Sequence, residues 1–285
     1  MDTVIGLGSA GCNIADEFAK YPQYEIYKID VGAQGDNCFD FPEQDEHEDY
    51  EQNCPSMKEF FKDLSGEVLF ILGGSGAITG ASLKILYQIR RCKINILYIQ
   101  PDIELLSKVK KLQERVTCGV LQEYARSAVF EKLFFISNSE LENILGDIPV
   151  TEYNNRLNEL IVSTIHMYNV FRNIKPVNTT FSSLLPSARL ATFGIFDIEE
   201  GEEKIFFPLD IVREKRYYYG INESTLKTDG QLFKKIKTRT KEQNKETAKA
   251  SYAIYSTNYK QNYGYVICYT SKIQLDTLRN NEYNK

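Results

Sequence analysis

Residues 69–82 read LFILGGSGAITGAS. Val68–Leu72 is a short apolar run, the composition of a strand buried on both faces. Gly73, Gly74, Ser75 and Gly76 follow without a spacer, and Ala77–Arg91 then sets Ile78, Leu83, Leu86, Tyr87 and Ile89 at helical spacing. A strand, a glycine turn and a helix start make a cradle for phosphate. Free N–H groups and the helix dipole favour an anion there, and glycine lets the backbone come close. Ser75 and Thr79 add hydroxyl donors. The stretch is not a P-loop, because no Gly-Lys-Ser/Thr closes it. The competing reading is an ordinary tight turn in an α/β sheet.

A second glycine loop, at the start of the chain, weighs against that ordinary reading. Thr3–Leu7 has strand character and runs into Gly6-Leu7-Gly8-Ser9-Ala10-Gly11, then Cys12-Asn13, then a helix to about residue 20. Ile26–Ile29 is the next strand and ends in Asp30. This βαβ opening satisfies G-x-G-x-x-G, and Asp30 stands about 20 residues on, where a dinucleotide-binding fold holds a ribose. An NAD-binding Rossmann enzyme is therefore a competing reading, although no acid–base pair suited to hydride chemistry accompanies it.

Outward from these loops, Asp40–Glu51 is dense in acids and reads as a solvated loop, and Ser56–Leu64 as a short helix. Lys93–Ile99 is a strand ending near Pro101. Ile103–Glu123 is helical, continuing over Ala125–Glu131, and Leu133–Ile136 is a strand ending in Ser137-Asn138. Strands and helices in alternation predict a mostly parallel sheet with its ligand at the carboxyl ends of the strands. Thr151–Phe171 is a long helix, ended by Pro176. Beyond it Leu190–Ile198, Lys204–Pro208, Arg216–Ile221 and Lys249–Ile273 read as strands, with a helix over about residues 229–245. The expected organisation is a nucleotide-binding domain over 1–150, a connecting helix over 151–175 and a smaller α+β domain over 176–285.

Bulk properties narrow the class. The 285 residues are 42% hydrophobic with a formal charge of −5, so no global basic field points to nucleic acid. No basic-then-apolar leader and no membrane-length apolar run are present, which predicts no membrane association. The six cysteines form no C-x-x-C pair and fit reduced thiols in a cytoplasm. Two histidines, His47 and His166, are too few for a histidine metal centre or triad, and His166 on an apolar helix reads as a packed residue.

Several stretches together resemble the tubulin/FtsZ superfamily. VIGLGSAGCNIAD (residues 4–16) looks like its first phosphate loop, including Asn13; YKIDVGAQG (27–35) resembles the strand and loop that follow. GGSGAITGAS is similar to the signature G-G-T-G-[ST]-G, with Ser75 for threonine and Ala77-Ile78 interrupting the last glycine. ISNSEL (136–141) and NRLNELIVSTI (155–165) resemble the guanine-reading strand end and the start of the central helix. The resemblance spans roughly residues 3–196 and implies a GTP/GDP-binding fold with Mg²⁺ alongside the nucleotide. It implies that Gly6, Gly8, Gly11, Gly73, Gly74, Ser75 and Gly76 wrap the phosphates and that Asn13, Asn138 and Asn155 surround the base. Glu104 and Lys108, four apart on one helical face, would sit near ribose and phosphate. Tyr153 is a candidate to stack on the base, with Thr151 at the tubulin aromatic position.

The resemblance also implies head-to-tail assembly of the chain with itself into cytoskeletal filaments, in a cytoplasm. Divergent small members occur in bacteriophages and plasmids, so that cytoplasm would be the host's if the origin is viral. One departure bears on hydrolysis. The family carries acids after its central helix in a pattern like N-x-D-F-x-D. Here the match is Asn178-Thr179-Thr180-Phe181-Ser182-Ser183, with Thr180 and Ser183 at the acid positions. A hydroxyl is neither a strong base nor a good Mg²⁺ ligand, so weak or absent hydrolysis is expected unless Asp197 or Glu199 substitutes. The basic run Lys234–Lys249 reads as a solvated helix face or as a contact for DNA or a partner protein. A non-polymerising structural protein that keeps the fold is the remaining alternative.

Overall fold

Thr3–Leu7 forms the first strand, β1, and each of its residues is buried. A parallel strand covered on both faces has that burial, which is why the run is apolar instead of alternating. In the computed structural model, which describes residues 1–244 and 248–274, β1 leads into α1 (Gly8–Phe18), β2 (Glu25–Asp30), β3 (Cys38–Asp40), α2 (His47–Gln52) and β4 (Glu67–Gly73). A 3₁₀ turn (Ala77–Ala81) precedes α3 (Ser82–Gln88). Next come β5 (Lys93–Gln100), α4 (Lys108–Arg126), β6 (Lys132–Ser137), α5 (Asn138–Leu145) and the long α6 (Tyr153–Asn173). The strands lie in the order β3-β2-β1-β4-β5-β6, and all are parallel. The chain moves outward from β1 to β3, then returns to the other side of β1 as β4. The order therefore reverses between β1 and β4, the crevice where such sheets take ligands.

The chain divides into two compact units, Met1–Val162 and the residues from Ser163 onward, with the boundary inside α6. The second unit continues with β7 (Asn178–Thr179), β8 (Leu190–Phe196), β9 (Glu203–Ile205), β10 (Glu214–Asn222), α7 (Glu223–Thr228), α8 (Leu232–Gln243), β11 (Lys249–Thr257) and β12 (Tyr263–Thr270). Its strands lie in the order β8-β12-β10-β11-β7 with β9 on β8. The pair β10–β11 is parallel and the others are antiparallel, as an α+β domain requires. Leu232 and Ile236 of α8 pack on Tyr217, Tyr219 and Phe196. Phe171 of α6 stacks on Tyr255 with ring centres 4.5 Å apart, over Gly220, where a Cβ would meet that ring at 3.0 Å. His166 is buried, and burial lowers its pKa, so it is a packed residue as its apolar helix predicted.

Several local expectations are corrected. The acidic segment is not all loop: α2 forms within it, with Glu48 and Asp49 in its first turn, where the dipole favours them, and Tyr50 buried. Ser56–Leu64 is a run of turns instead of a helix: Phe61 donates to Met57, Lys62 to Glu59 and Leu64 to Phe61, and the Arg91 guanidinium takes the carbonyls of Phe61, Lys62 and Leu64 at its end. Residues 77–91 are not one helix. Gly80 is pressed against the carbonyl of His47, and a 3₁₀ turn precedes α3. α4 stops at Arg126 instead of continuing to residue 131, since Ala128 takes a left-handed φ of 64°. The long tract 249–273 is two strands, and the helix expected over 229–245 is α8, with residue 245 outside the described residues. Among the described residues, no helix is long and apolar enough to cross a membrane.

Candidate functional site

A cleft of about 350 Å³ opens at the carboxyl ends of the first unit's strands. Leu7–Ala10 line one side, Gly73–Thr79 another, and Asp30, Val31, Tyr50, Ile99, Pro101 and Asn138 the rest. It sits on the crevice between β1 and β4. The two glycine loops, remote in sequence, meet there.

Gly8 carries φ +68°, a conformation that costs an L side chain steric energy, and this lets β1 turn at once into α1. The residue before α1, Leu7, offers no side-chain cap, so the first-turn N–H groups remain donors facing the cleft. α5 likewise begins at Asn138 without a side-chain cap. Helix N-termini without caps are anion sites, by dipole and by N–H geometry together. No lysine, arginine or histidine is among the residues lining the cleft, and Asp30 is its one charged side chain. The attraction for an anion therefore comes from main-chain dipoles. Asp30 is tied in place: its carboxylate accepts from Ser9 Oγ at 3.0 Å and from the backbone N–H of Val31.

The second loop is shaped from behind. A Cβ on Gly74 would collide with the Tyr98 hydroxyl. That hydroxyl donates to the carboxylate of Glu114 at 2.8 Å, which also accepts from Gln100 at 3.4 Å. Burial raises the Glu114 pKa and pushes the Tyr98 phenol well up. Gly74 donates its N–H to Ile99, and Thr79 donates its hydroxyl to Gly76 at 2.6 Å, so Thr79 braces the loop from within. Cys12 is buried under the first loop with its thiol pushed up to about 12, chiefly by burial, and is chemically quiet.

No family model matches the chain, and no curated protein matches it by sequence. Solved structures do match. An FtsZ dimer from M. jannaschii aligns at TM-score 0.65 and 14% identity, over 94% of this chain and 87% of that one. A GTPγS-form protofilament of Bacillus thuringiensis serovar israelensis TubZ aligns at TM-score 0.62 and 15% identity, over 93% and 86%. A GDP-bound CetZ1 monomer from Haloferax volcanii aligns at TM-score 0.69 and 12% identity, over 98% and 97%. The fold is that of the tubulin/FtsZ superfamily.

On the tubulin/FtsZ fold of this chain, the residues singled out from sequence fall into groups. Gly8, Gly73, Gly74, Ser75, Gly76 and Asn138 line the cleft. Gly6 and Gly11 do not; they press on each other, and a Cβ on Gly6 would collide with the Gly11 carbonyl. Asn13 is exposed on α1 and Asn155 on the first turn of α6. Tyr153, also on that turn, donates to Glu142 of α5 at 3.2 Å, so the start of α6 is fastened to the helix that Asn138 opens. Burial, with Glu142 and Asp102 nearby, raises the Tyr153 pKa.

Glu104 and Lys108 do not share a helical face. Asp102 accepts from the Glu104 N–H and fixes a 3₁₀ turn, Leu106 is extended, and Ser107 caps α4 by accepting from the Lys110 N–H. The sequence signal was Ser107, a favoured N-cap, standing between the two charges. Tyr50 was missed, because it lies in a run whose acids dominate its character. Its cue was a lone aromatic near Phe41, on which it packs with ring centres 5.6 Å apart.

In the second unit, Thr180 is committed to the sheet. Its N–H donates to the Tyr252 carbonyl at 2.8 Å, and its hydroxyl oxygen accepts from the Tyr252 N–H at 3.0 Å. Ser183 is exposed. Asp197 caps its own turn by accepting from the N–H groups of Glu199 and Glu200, and Glu199 pairs with Lys235 at 2.7 Å. On the basic run, Arg239 lies over Phe196 and donates to the carbonyls of Asp197 and Gly201. Lys234, Lys237 and Lys241 are exposed, and residues 245–247 lie outside the described residues. No group of three or more His, Cys, Asp or Glu suited to a metal ion occurs among the described residues.

Proposed function

We propose that this chain binds guanine nucleotide in the β1–β4 cleft, assembles head-to-tail into filaments, and hydrolyses GTP weakly or not at all. The observation that carries the reading is the meeting of Gly8–Ala10 with Gly73–Gly76 around a cleft lined by no lysine, arginine or histidine, where backbone N–H groups are joined by neutral donors such as Ser75 and Asn138. That chemistry suits phosphate oxygens, and asparagine suits the mixed donor–acceptor edge of guanine. The matched structures support assembly and ligand class: one is a GTPγS-form protofilament and another a GDP-bound monomer. Mg²⁺ would enter on the phosphates, since Asp30 is the only carboxylate lining the cleft. Weak hydrolysis follows from Thr180, whose hydroxyl is engaged with Tyr252, and from Asp197 and Glu199, both occupied locally. Head-to-tail contacts are heterologous and propagate unless they close a ring. Lys234, Lys237 and Lys241 remain available to an anionic partner, DNA or protein.

The test is the nucleotide released on denaturing purified protein, followed by light scattering and phosphate release after adding GTP. Guanine nucleotide, a scattering rise and slow phosphate release are expected. Bound NAD would transfer the cleft to the Rossmann reading through Asp30. An empty cleft with no scattering would leave a structural protein. Phosphate release that keeps pace with assembly would overturn weak hydrolysis.

A further inference from the structure

Helix α4 is amphipathic in the wrong sense. Its covered face carries Glu114, Thr117 and Gln122 beside Cys118, Leu121 and Ala125. Its open face carries Val109, Leu112 and Val116 at 63%, 59% and 50% exposure, preceded by Leu105 at 83%. A helix leaves its apolar stripe in water only where something covers it. Within α4, Val109, Leu112, Val116, Gly119 and Glu123 are spaced alternately three and four apart, the repeat of a seam between two helices. Gly119 interrupts this seam mid-helix, where glycine is unfavourable. A Cβ there would meet nothing within 4 Å, so no contact within the chain requires glycine, and the position is a hollow open to a neighbour.

We infer that the open face of α4 pairs, antiparallel and about a two-fold axis, with α4 of a second copy of this chain. An axis between Leu112 and Val116 sets each Leu112 against the other copy's Val116 and each Val109 over the other copy's Gly119. Charge selects this arrangement. The start of α4 is basic at Lys108, Lys110 and Lys111, and its far end carries Glu123 with Arg126 one turn beyond, so the far end is the less basic of the two. Antiparallel pairing brings Lys108 alongside Glu123 twice and opposes the helix dipoles; parallel pairing sets the basic ends together. The contact is isologous and closes at two copies, so it differs in kind from head-to-tail assembly and requires no nucleotide. Between filaments it would join strands of opposite polarity.

The test is sedimentation velocity of the full chain without added nucleotide, over a wide concentration range. The expected result is a monomer–dimer equilibrium. Leu112→Lys should weaken it by at least about a hundredfold. Lys108→Glu and Glu123→Lys should each weaken it by about tenfold, and the double exchange should restore it. Gly119→Gln should raise the Tm of the monomer, by helix propensity, while weakening the dimer. A wild-type chain that stays monomeric, a Leu112→Lys dimer of unchanged strength, or a double exchange no better than its parents would overturn the inference. Head-to-tail association would not respond to Leu112→Lys, and the double exchange would not rescue it from either single charge reversal.

Discussion

The two glycine loops use the same residue for different ends. In the first, Gly6 and Gly11 are glycines because strand and helix backbones touch there, and neither lines the cleft. In the second, Gly74 yields to a side chain, the Tyr98 hydroxyl, while a Cβ on Gly76 would meet nothing closer than 3.9 Å. Gly76 holds an ordinary φ of −76° and is exposed at the cleft. A glycine-rich motif thus mixes residues that let backbones touch with residues that leave a cleft open, and only the surroundings tell them apart.

Substitutions should separate the two kinds. Gly6→Ala drives a methyl into backbone that cannot yield, and we expect a loss of about 3 kcal/mol or more in chemical denaturation. A near-native midpoint would show that β1 and α1 are less tightly joined. Gly74→Ala meets a side chain able to shift; the expected cost is about 1–3 kcal/mol, with nucleotide retention lost as well. Gly76→Ala should change stability by no more than about 0.5 kcal/mol yet lower the nucleotide recovered from purified protein. Unchanged retention would move Gly76 to the structural group.

The smallest effect concerns the support beneath Gly74. Burial raises the Glu114 pKa, so between its ordinary and folded values the folded state holds a proton that the unfolded state has released. Stability therefore falls as pH rises through that window. Glu114→Gln removes the dependence and retains an acceptor for Tyr98. Its Tm advantage should grow from acid towards neutral pH; a constant offset would mean that the carboxyl titrates normally.

Legibility in the sequence followed the range of the forces involved. The parallel sheet and both glycine turns were readable because runs such as Val68–Leu72 and the glycines after them are local signals. The change to a mixed, mostly antiparallel second unit was readable from its tyrosine-rich strands. What escaped depended on distant partners. Arg91 fastens the turns of residues 56–64 from a distant part of the chain, Phe41 turns Tyr50 inward from an acidic run, and the His47 carbonyl makes Gly80 a necessity. The Glu104–Lys108 error was local, and Ser107 was the cue that corrects it. Asn13 and Asn155 were legible as positions on α1 and α6, and both lie outside the lining of the cleft.

A pocket whose attraction for anions comes from peptide groups has an unusual mutational profile. Truncating side chains leaves every main-chain donor in place, so the sensitive substitutions are the ones that add bulk at its glycines. Lysine acetylation has no target within its lining, and the donors do not titrate between acid and alkaline extremes. What it demands of a lineage is a few small residues and a bend at Gly8, which leaves the rest of the chain wide freedom to drift in sequence while the cradle persists.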